Sequence, residues 1–422
     1  MKREFGFFRI VSFGFVIFLL FPLILDAQIT AVKAKKIYTG SHGIIENGVI
    51  LIQDGKIKEV GPGVEIPWNA EVIDFSQKVI LPGLVEAHAA RGYDVANETN
   101  PLTPFVTVLD NIDTSHDAFQ TALKDGVTTL NIMPGNDTIL GGKGAVVKSV
   151  GLVVEDMLLI PESGMKISVA GTSAQTRMGV MAQLRRYFNE TKEYLEEQEK
   201  AEQKEEEKMV STPGSFRSPE RVKYESVADL LRGRYKAFIY CLSPSDVVRA
   251  HDLSEKYGFQ SVYLLGPECY KAADFVAEKK LTVILDPELV YFERDPLTDE
   301  VKKIEVAKAF HEKGVEFALQ SDPAKVQTRS LFYQAMRAIQ SGLDPEEALK
   351  AITIIPAQIL GATNLVGSID KGKLAHFAVL SDDPFKLSTK VEYVYIDGKS
   401  VYDREKDKEL KKLLEEKIIK YE

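Results

Sequence analysis

The stretch LPGLVEAHAA at residues 81–90 places one histidine, His88, near the end of an apolar strand pattern. A strand that carried His-x-His there would direct two imidazoles to the same side, because side chains two positions apart share a face of a strand. Two such imidazoles could bind one metal ion. In this chain the second position is Ala90, so only one imidazole is expected to face the site. The stretch is compatible with a reduced metal centre or with a site that has lost its metal.

The chain has 422 residues, 45% of them hydrophobic and 27% charged, which is ordinary for a globular protein with a sizeable core. This length suits one large domain with a satellite, or two to three domains. The net charge is −9 and the sequence contains no basic stripe, so nucleic acid is not expected as a partner.

Residues 1–27 have the layout of a signal peptide. Basic residues precede an apolar run, and the small Ala27 is placed for cleavage before Gln28. An uncleaved membrane anchor is the competing interpretation, but the run is short and contains Pro22. We therefore expect an exported protein, periplasmic or secreted, with no stable membrane span after the signal is removed. Whether the segment is cleaved stays open.

The rest of the chain predicts an α/β protein with two parts. Residues 28–79 and 364–404 are rich in short β-branched runs, which indicates a composite β-sandwich domain formed by both chain ends. Residues 80–363 alternate between apolar runs and helical patterns, which favours a closed (β/α)8 barrel of the TIM type. The runs interpreted as barrel strands are VTTLNIM, GAVVKSV, KAFIYCL, SVYLL, LTVIL and EFALQ.

Three further features bear on the organisation. An insertion at 192–220 begins with a run of Glu and Lys that predicts a solvated helix over 192–208. Residues 405–422 predict an amphipathic helix that packs on the surface of the fold. Its apolar face would carry Leu410, Leu413, Leu414 and Ile418.

Cys241 and Cys269 could form one disulfide in an exported protein or remain two buried thiols, and the sequence leaves both open.

Several motifs together resemble the amidohydrolase superfamily, and specifically its imidazolonepropionase-like members. They are VILPGLVEAH, ALKDGVTTLNIMPGNDTILGGKGAVVK, TRMGVMAQLRRYF, ALQSDP, AITIIPAQILGA and GSIDKGKLAHFAVLSDDPF. The resemblance covers essentially the whole chain after the leader. It implies a hydrolase of non-peptide C–N bonds such as cyclic amides. One or two divalent metals at the barrel mouth would activate water and polarise the scissile carbonyl.

The resemblance also implies a ligand set, and most of it is missing. Members of the superfamily carry a His pair on the first strand, histidines at the ends of strands five and six, an Asp after strand eight and, in some subgroups, a carboxylated Lys on strand four. The retained positions are His88, Asp322 and, near the putative fourth strand, Lys148. The lost positions are Ala90, Tyr240, Leu242 and Leu265.

Two other side chains near the expected mouth have alternative roles. Arg177, in the TRMG motif, is a candidate contact for an anionic group of the substrate, although a salt bridge within the fold explains it equally well. Cys241 is expected to point towards the helices. A shift of one residue in the register of strand five would turn it inward, where a thiolate is a soft ligand for zinc.

Three hypotheses follow. In the first, the metal centre is degenerate, and an exported, catalytically impaired protein binds a small molecule at the barrel mouth or pairs with an active relative or a second copy. In the second, His88, Lys148 and Asp322 hold one zinc or iron, and Asp322 is the general base of a working amidohydrolase. In the third, the chain is a metal-free binding or assembly protein of the cell envelope.

Overall fold

The structure is a computed structural model that describes residues 28–171, 175–208, 219–322, 330–386 and 388–412. Both ends of the described chain contribute to one seven-stranded sheet. Its strands, numbered in chain order, are β1 (Ile29–Tyr38), β2 (Ile44–Gln53), β3 (Lys56–Gly61), β4 (Glu71–Pro82), β15 (Phe377–Leu380), β16 (Val391–Ile396) and β17 (Lys399–Asp403). The spatial order is β17-β16-β15-β4-β1-β2-β3, and the two chain ends meet where β15 pairs antiparallel with β4.

A second sheet of eight strands forms a nearly closed ring. Its strands are β5 (Leu84–Ala89), β6 (Val127–Ile132), β7 (Leu140–Lys148), β8 (Leu158–Ser168), β9 (Lys236–Cys241), β10 (Ser261–Leu265), β11 (Thr282–Leu285) and β14 (Phe317–Leu319). The first and last strands are bridged by one short stretch, because Ala351 O accepts from Leu319 N and Ile352 O accepts from Val85 N, both at 3.0 Å. All six apolar runs interpreted as barrel strands are strands in the structure, but β8 was not predicted.

One strand runs against the others. β7 is antiparallel to both of its neighbours, β6 and β8, whereas a (β/α)8 barrel has only parallel strands. The connections explain the difference. Residues 133–139 join β6 to β7 without a helix, and a parallel pair needs a crossover of roughly a dozen residues or more. The C-terminal end of β7 therefore lies at the opposite end of the ring from the C-terminal ends of the other strands.

Helices cover the outside of the ring and close one end of it. The helices are α1 (Asp117–Lys124), α2 (Val154–Met157), α3 (Arg177–Lys208), α4 (Pro219–Leu231), α5 (Pro244–Tyr257), α6 (Ala273–Glu278), α7 (Val306–His311), α8 (Leu331–Gln340), α9 (Pro345–Lys350) and α10 (Ile354–Ile359). A hairpin of β12 (Val290–Arg294) and β13 (Val301–Glu305) follows β11. Helix α3 continues through the Glu- and Lys-rich run to Lys208, as the sequence predicts.

Successive side chains along each strand point to opposite faces of the sheet, which produces two apolar layers. The inner layer packs against α10 and contains Val85, Ala87, Val146, Phe238, Val262, Leu264, Ile284 and Ala318. The outer layer packs against the surrounding helices and contains the intervening residues, among them Ile239, Cys241 and Leu265. The ring is thus filled by side chains.

Some predictions concern parts of the chain outside the described residues. These are the signal segment 1–27, residues 209–218 of the insertion, and Leu413, Leu414 and Ile418 of the C-terminal helix. Within the described ranges, no helix is long and apolar enough to cross a membrane. Cys241 and Cys269 are free, buried thiols rather than a disulfide, and Cys269 Sγ donates to Cys241 O at 3.3 Å.

A charged cluster joins the two sheets at the end of the ring where β7 finishes. Lys148 Nζ donates to Asp397 Oδ2 at 2.8 Å, and the ring of the buried His376 contacts Asp397 Oδ1 through Nε2 at 2.9 Å. Burial raises the pKa of Asp397, but the hydrogen bonds from His376 and Lys148 outweigh it and lower this pKa from 3.8 to about 2. Since the folded-state pKa is depressed, the ionised carboxylate stabilises the fold above about pH 4, and this contribution is lost as the pH falls towards 2.

We expect Asp397→Asn to lower the free energy of unfolding by about 1–3 kcal/mol at pH 7, because it leaves Lys148 and His376 without their charged partner. Chemical denaturation measures the effect. Asp382→Asn is the matched control, since Asp382 pairs with Lys386 at the exposed surface and its loss should cost about 0.5 kcal/mol or less. Equal effects of the two substitutions would contradict a stabilising role for the cluster.

Candidate functional site

The candidate site lies at the mouth of the ring, where the parallel strands end. His88 is the penultimate residue of β5, Lys166 lies near the end of β8, and Gln320 directly follows β14. All three are buried, with 5%, 0% and 8% of their surface exposed. The ladder between β5 and β6 shifts register between Glu86 and Ala89, and His88 lies within this irregular stretch.

Both nitrogens of the His88 ring have a partner. Nδ1 is 3.0 Å from Gln320 Oε1, and Nε2 is 2.7 Å from Lys166 Nζ. An amide oxygen can only accept, so Nδ1 carries the hydrogen and the lone pair of Nε2 faces the lysine. Burial, and then the nearby charge of Lys166, hold the pKa of His88 well below its ordinary value of 6.5. The imidazole is therefore neutral at physiological pH and available as an acceptor.

Lys166 reaches the site because of the alternation in β8. Met165 and Ile167 face the outer layer, so Lys166 faces the inside of the ring and extends across the mouth to β5. Its Nζ also donates to Asn136 Oδ1 at 2.6 Å, and lies 5.9 Å from the centre of the Tyr240 ring. Among the described residues no carboxylate stands within ion-pair distance of it. Burial lowers the pKa of Lys166 from 10.5 to about 7.

Hydrogen bonds to the buried carboxylate of Glu86 hold the two edges of the mouth together. Glu86 Oε1 accepts from Ser321 N at 2.8 Å and from Ser321 Oγ at 2.7 Å, while Glu86 Oε2 binds the guanidinium of Arg91. Glu86 is fully buried, and Arg91 is 4% exposed. Because Glu86 lies two residues before His88 and Ser321 follows Gln320, the hydrogen bonds between Glu86 and Ser321 fix the separation of His88 and Gln320.

Lys148 is not part of this site. It ends β7, and since that strand is reversed, its side chain lies at the other end of the ring, bound to Asp397. The prediction that Lys148 joins His88 and Asp322 at one metal is therefore wrong in its placement. Asp322 lies three residues beyond β14, half-buried, after Ser321. In the described part of the chain, the partners of the His88 ring are Gln320 and Lys166 rather than Asp322.

The positions expected to have lost their histidines fall in different environments. Tyr240 packs against the inner layer, Cys241 faces the outer layer, and Leu242 lies beyond the end of β9 with 43% of its surface exposed. Leu265 belongs to the outer layer, and the inward residue at the end of β10 is its neighbour Leu264. That Leu265 stands in place of a histidine stays a prediction. Ala90 is exposed, just past the end of β5.

Arg177 makes the salt bridge that was the alternative to substrate binding. At the start of α3, its Nε donates to Asp246 Oδ1 at 2.8 Å. Asp246 is fully buried and forms a capping box with Ser243 at the start of α5. The contact fastens two helices on the outside of the ring, and a substrate contact for Arg177 stays a prediction.

The sequence analysis missed Lys166, Gln320, Asn136 and Glu86. For Lys166 a signal was present, because the stretch MKISVA at 165–170 alternates apolar residues with Lys166 and Ser168. A lysine on the inward face of a strand pattern marks a buried polar position. Gln320 and Asn136 carry no such mark, since an amide in a loop is common and only the folded chain shows what it contacts.

Comparison with known proteins agrees with this architecture. Residues 272–402 match the model of the Amidohydrolase family. The crystal structure of an amidohydrolase from Thermotoga maritima MSB8 superposes with a TM-score of 0.79 at 30% identity, over 89% of this chain and 100% of that one. The chain belongs to the amidohydrolase family.

Other relatives are more distant. The imidazolonepropionase of Clostridium tetani is 24% identical over 86% of this chain and 92% of its own length. The amidohydrolase tasK of Hapsidospora irregularis is 23% identical over 85% of this chain, which spans only 40% of that longer protein. The structure of molinate hydrolase, at 17% identity and a TM-score of 0.52, shares the fold.

Amidohydrolases usually use a divalent metal, but the described residues of this member do not fit a metal centre built from imidazoles. No group of three or more His, Cys, Asp or Glu side chains in the described ranges converges as a metal site. The Nε2 atom of His88, which would have to bind the ion, already accepts a hydrogen bond from Lys166. A catalytic zinc takes three protein ligands, and at this nitrogen the described residues supply a lysine amine, which is a hydrogen-bond donor and not a set of metal ligands.

We expect the stability of the wild-type protein to rise between pH 7 and pH 9 by about 2–3 kcal/mol relative to Lys166→Met. The sign follows from linkage: the folded state releases the Lys166 proton near pH 7 and the unfolded state only near 10.5, so the unfolded chain binds more protons in between. Chemical denaturation at several pH values measures the difference.

Lys143→Met is the matched control for this prediction. Lys143 lies in β7 and pairs with Glu162, so its replacement should leave the pH-dependent rise intact. Parallel pH profiles for the wild type and Lys166→Met would contradict a buried amine that titrates near neutrality.

Proposed function

We propose that this amidohydrolase binds a small molecule at the barrel mouth through a centre made of Lys166 and His88, in place of a cluster of metal-bound imidazoles. The observation that carries the proposal is the 2.7 Å contact between Lys166 Nζ and His88 Nε2. This contact pairs the imidazole of His88 with an amine. The classical hydrolysis of a C–N bond by metal-activated water is accordingly impaired in this chain.

The character of the mouth supports a ligand that is partly apolar. Tyr240 of β9 and Leu264 of β10 belong to the apolar inner layer next to the site. The amides of Asn136 and Gln320 contribute the polar groups. An apolar lining with a few convergent polar groups is characteristic of small-molecule sites. Carbonyl compounds, including the cyclic amides implied by the resemblance to imidazolonepropionase, match this combination.

The proposal also covers the fold around the site and the location of the protein in the cell. The ring is interpreted as a TIM-type barrel with its third strand reversed, and the seven-stranded sheet as a small composite domain.

The leader at 1–27 supports export to the periplasm or the medium, with pairing to a second copy or to an active relative as a further role. Cell fractionation with N-terminal sequencing tests export, which predicts a mature chain that begins at Gln28; a full-length chain in the cytoplasm would contradict it.

The metal content of the purified protein tests the central point. We expect well under one zinc or iron per chain by elemental mass spectrometry, even when both metals are supplied during expression, because Lys166 competes for His88 Nε2. The content should be the same in His88→Ala and in Asp322→Asn, since neither residue is a metal ligand in this proposal.

One zinc or iron per chain that is lost in both variants would contradict the proposal. That result would support the alternative of a mononuclear hydrolase. Lys166 would then take the position that the sequence assigned to Lys148, and amide and lactam substrates would be the compounds to screen.

A further inference from the structure

We propose that Lys166 is a nucleophile that forms an imine with a carbonyl-bearing ligand, with His88 as its base and Gln320 as the group that orients the base. The inference rests on the proposed ligand site at the barrel mouth and assigns it a covalent chemistry. It concerns aldehydes and ketones small enough to reach a fully buried amine.

The geometry is that of an activated nucleophile. Such sites place a nucleophile within hydrogen-bond reach of a base, and a third group holds the base in the correct tautomer. Here Lys166 Nζ is 2.7 Å from His88 Nε2, and His88 Nδ1 is 3.0 Å from Gln320 Oε1. Because Gln320 accepts the hydrogen of Nδ1, the lone pair of Nε2 is directed at the amine.

The contacts of the amine fix its direction. Lys166 is fully buried, and the described residues around it provide the amide oxygen of Asn136 and the ring nitrogen of His88 but no carboxylate. In the neutral amine these two acceptors bind both hydrogens, so they fix the direction of the nitrogen lone pair that attacks the carbonyl carbon.

The reaction balances without a co-reactant. The lone pair of Lys166 Nζ attacks the carbonyl carbon and forms a C–N bond, while the carbonyl oxygen takes up the displaced electron pair. His88 Nε2 accepts the two protons of Nζ one after the other and passes each to that oxygen, which leaves as water when the C–O bond breaks. The products are an imine on Lys166 and one water molecule, and no group is oxidised or reduced.

The hydroxyl of Ser168 is a candidate hydrogen-bond donor to the carbonyl oxygen of the ligand. Ser168 lies two residues after Lys166 on β8 and so shares its inward face. Its Oγ is buried and has no hydrogen-bond partner among the described residues. A buried hydroxyl without a partner is costly, and a ligand oxygen at this place would satisfy it. This orphan group is the second, independent sign that the mouth is built to receive an oxygen-bearing ligand.

Reductive trapping tests the inference. The mature protein is incubated with pyruvate, or with the neutral ketone hydroxyacetone, and with sodium cyanoborohydride, which reduces an imine to a stable amine. Buffers depleted of carbon dioxide prevent a competing carbamate. Intact-mass measurement counts the adducts and peptide mapping locates them. The wild type should carry one adduct with at least one of the two ketones, on the peptide that contains Lys166.

Variants separate the roles of the residues. The adduct should be absent from Lys166→Met and should form about tenfold more slowly, or slower still, in His88→Gln, which keeps a polar side chain but removes the base. Lys143→Met is the matched control and should be labelled like the wild type. Circular dichroism and thermal melting show whether each variant is folded, and Ser168→Ala provides a milder second probe of the same site.

Three outcomes would overturn the inference. These are no adduct at Lys166 with either ketone, adducts spread over lysines in proportion to their exposure, and an unchanged labelling rate in folded His88→Gln. The proposed function can fail separately, because it is judged by metal content. A metal-free protein without an adduct would retain a non-covalent ligand site and lose the imine, whereas one metal per chain bound by His88 would remove the basis of both.

Discussion

A lysine amine lies buried beside a neutral imidazole, with no carboxylate among the described residues to balance it, and the mouth of this barrel depends on this constraint. In water such an amine is protonated, and moving its charge into the protein interior is unfavourable. The fold accommodates it through two hydrogen bonds, to His88 Nε2 and Asn136 Oδ1, and through a depressed pKa near 7. An imidazole nitrogen that accepts a hydrogen bond from an amine cannot at the same time bind a metal ion.

The remainder of the structure places these groups. Hydrogen bonds from Ser321 to the buried Glu86, which also pairs with Arg91, tie β5 to the residue after Gln320 and fix the spacing across the mouth. Alternation in β8 brings Lys166 inward, and α10 fills the other end of the ring. At that end, the reversed strand β7 directs Lys148 to Asp397, where it helps to join the barrel to the seven-stranded sheet. The two lysines thus have different roles because their strands run in opposite directions.

The sequence was sufficient for the family and for most strands, because short apolar runs and motifs such as VILPGLVEAH are local signals. It was not sufficient for the direction of β7, which depends on connections too short for a parallel crossover. That one reversal led to the choice of Lys148 over Lys166. The sequence also did not determine which residue of β10 faces inward, Leu264 or Leu265, because a one-residue change of register turns every side chain to the other face. The partners of His88 come from strands far apart in sequence, and no local pattern encodes them.

The most direct test of this account is a crystal structure of the protein grown with zinc, with diffraction data collected at the zinc absorption edge. The account predicts density for Lys166 Nζ within hydrogen-bond distance of His88 Nε2 and no anomalous peak beside that nitrogen. An anomalous peak about 2.1 Å from Nε2, with Lys166 turned away or carboxylated, would contradict it.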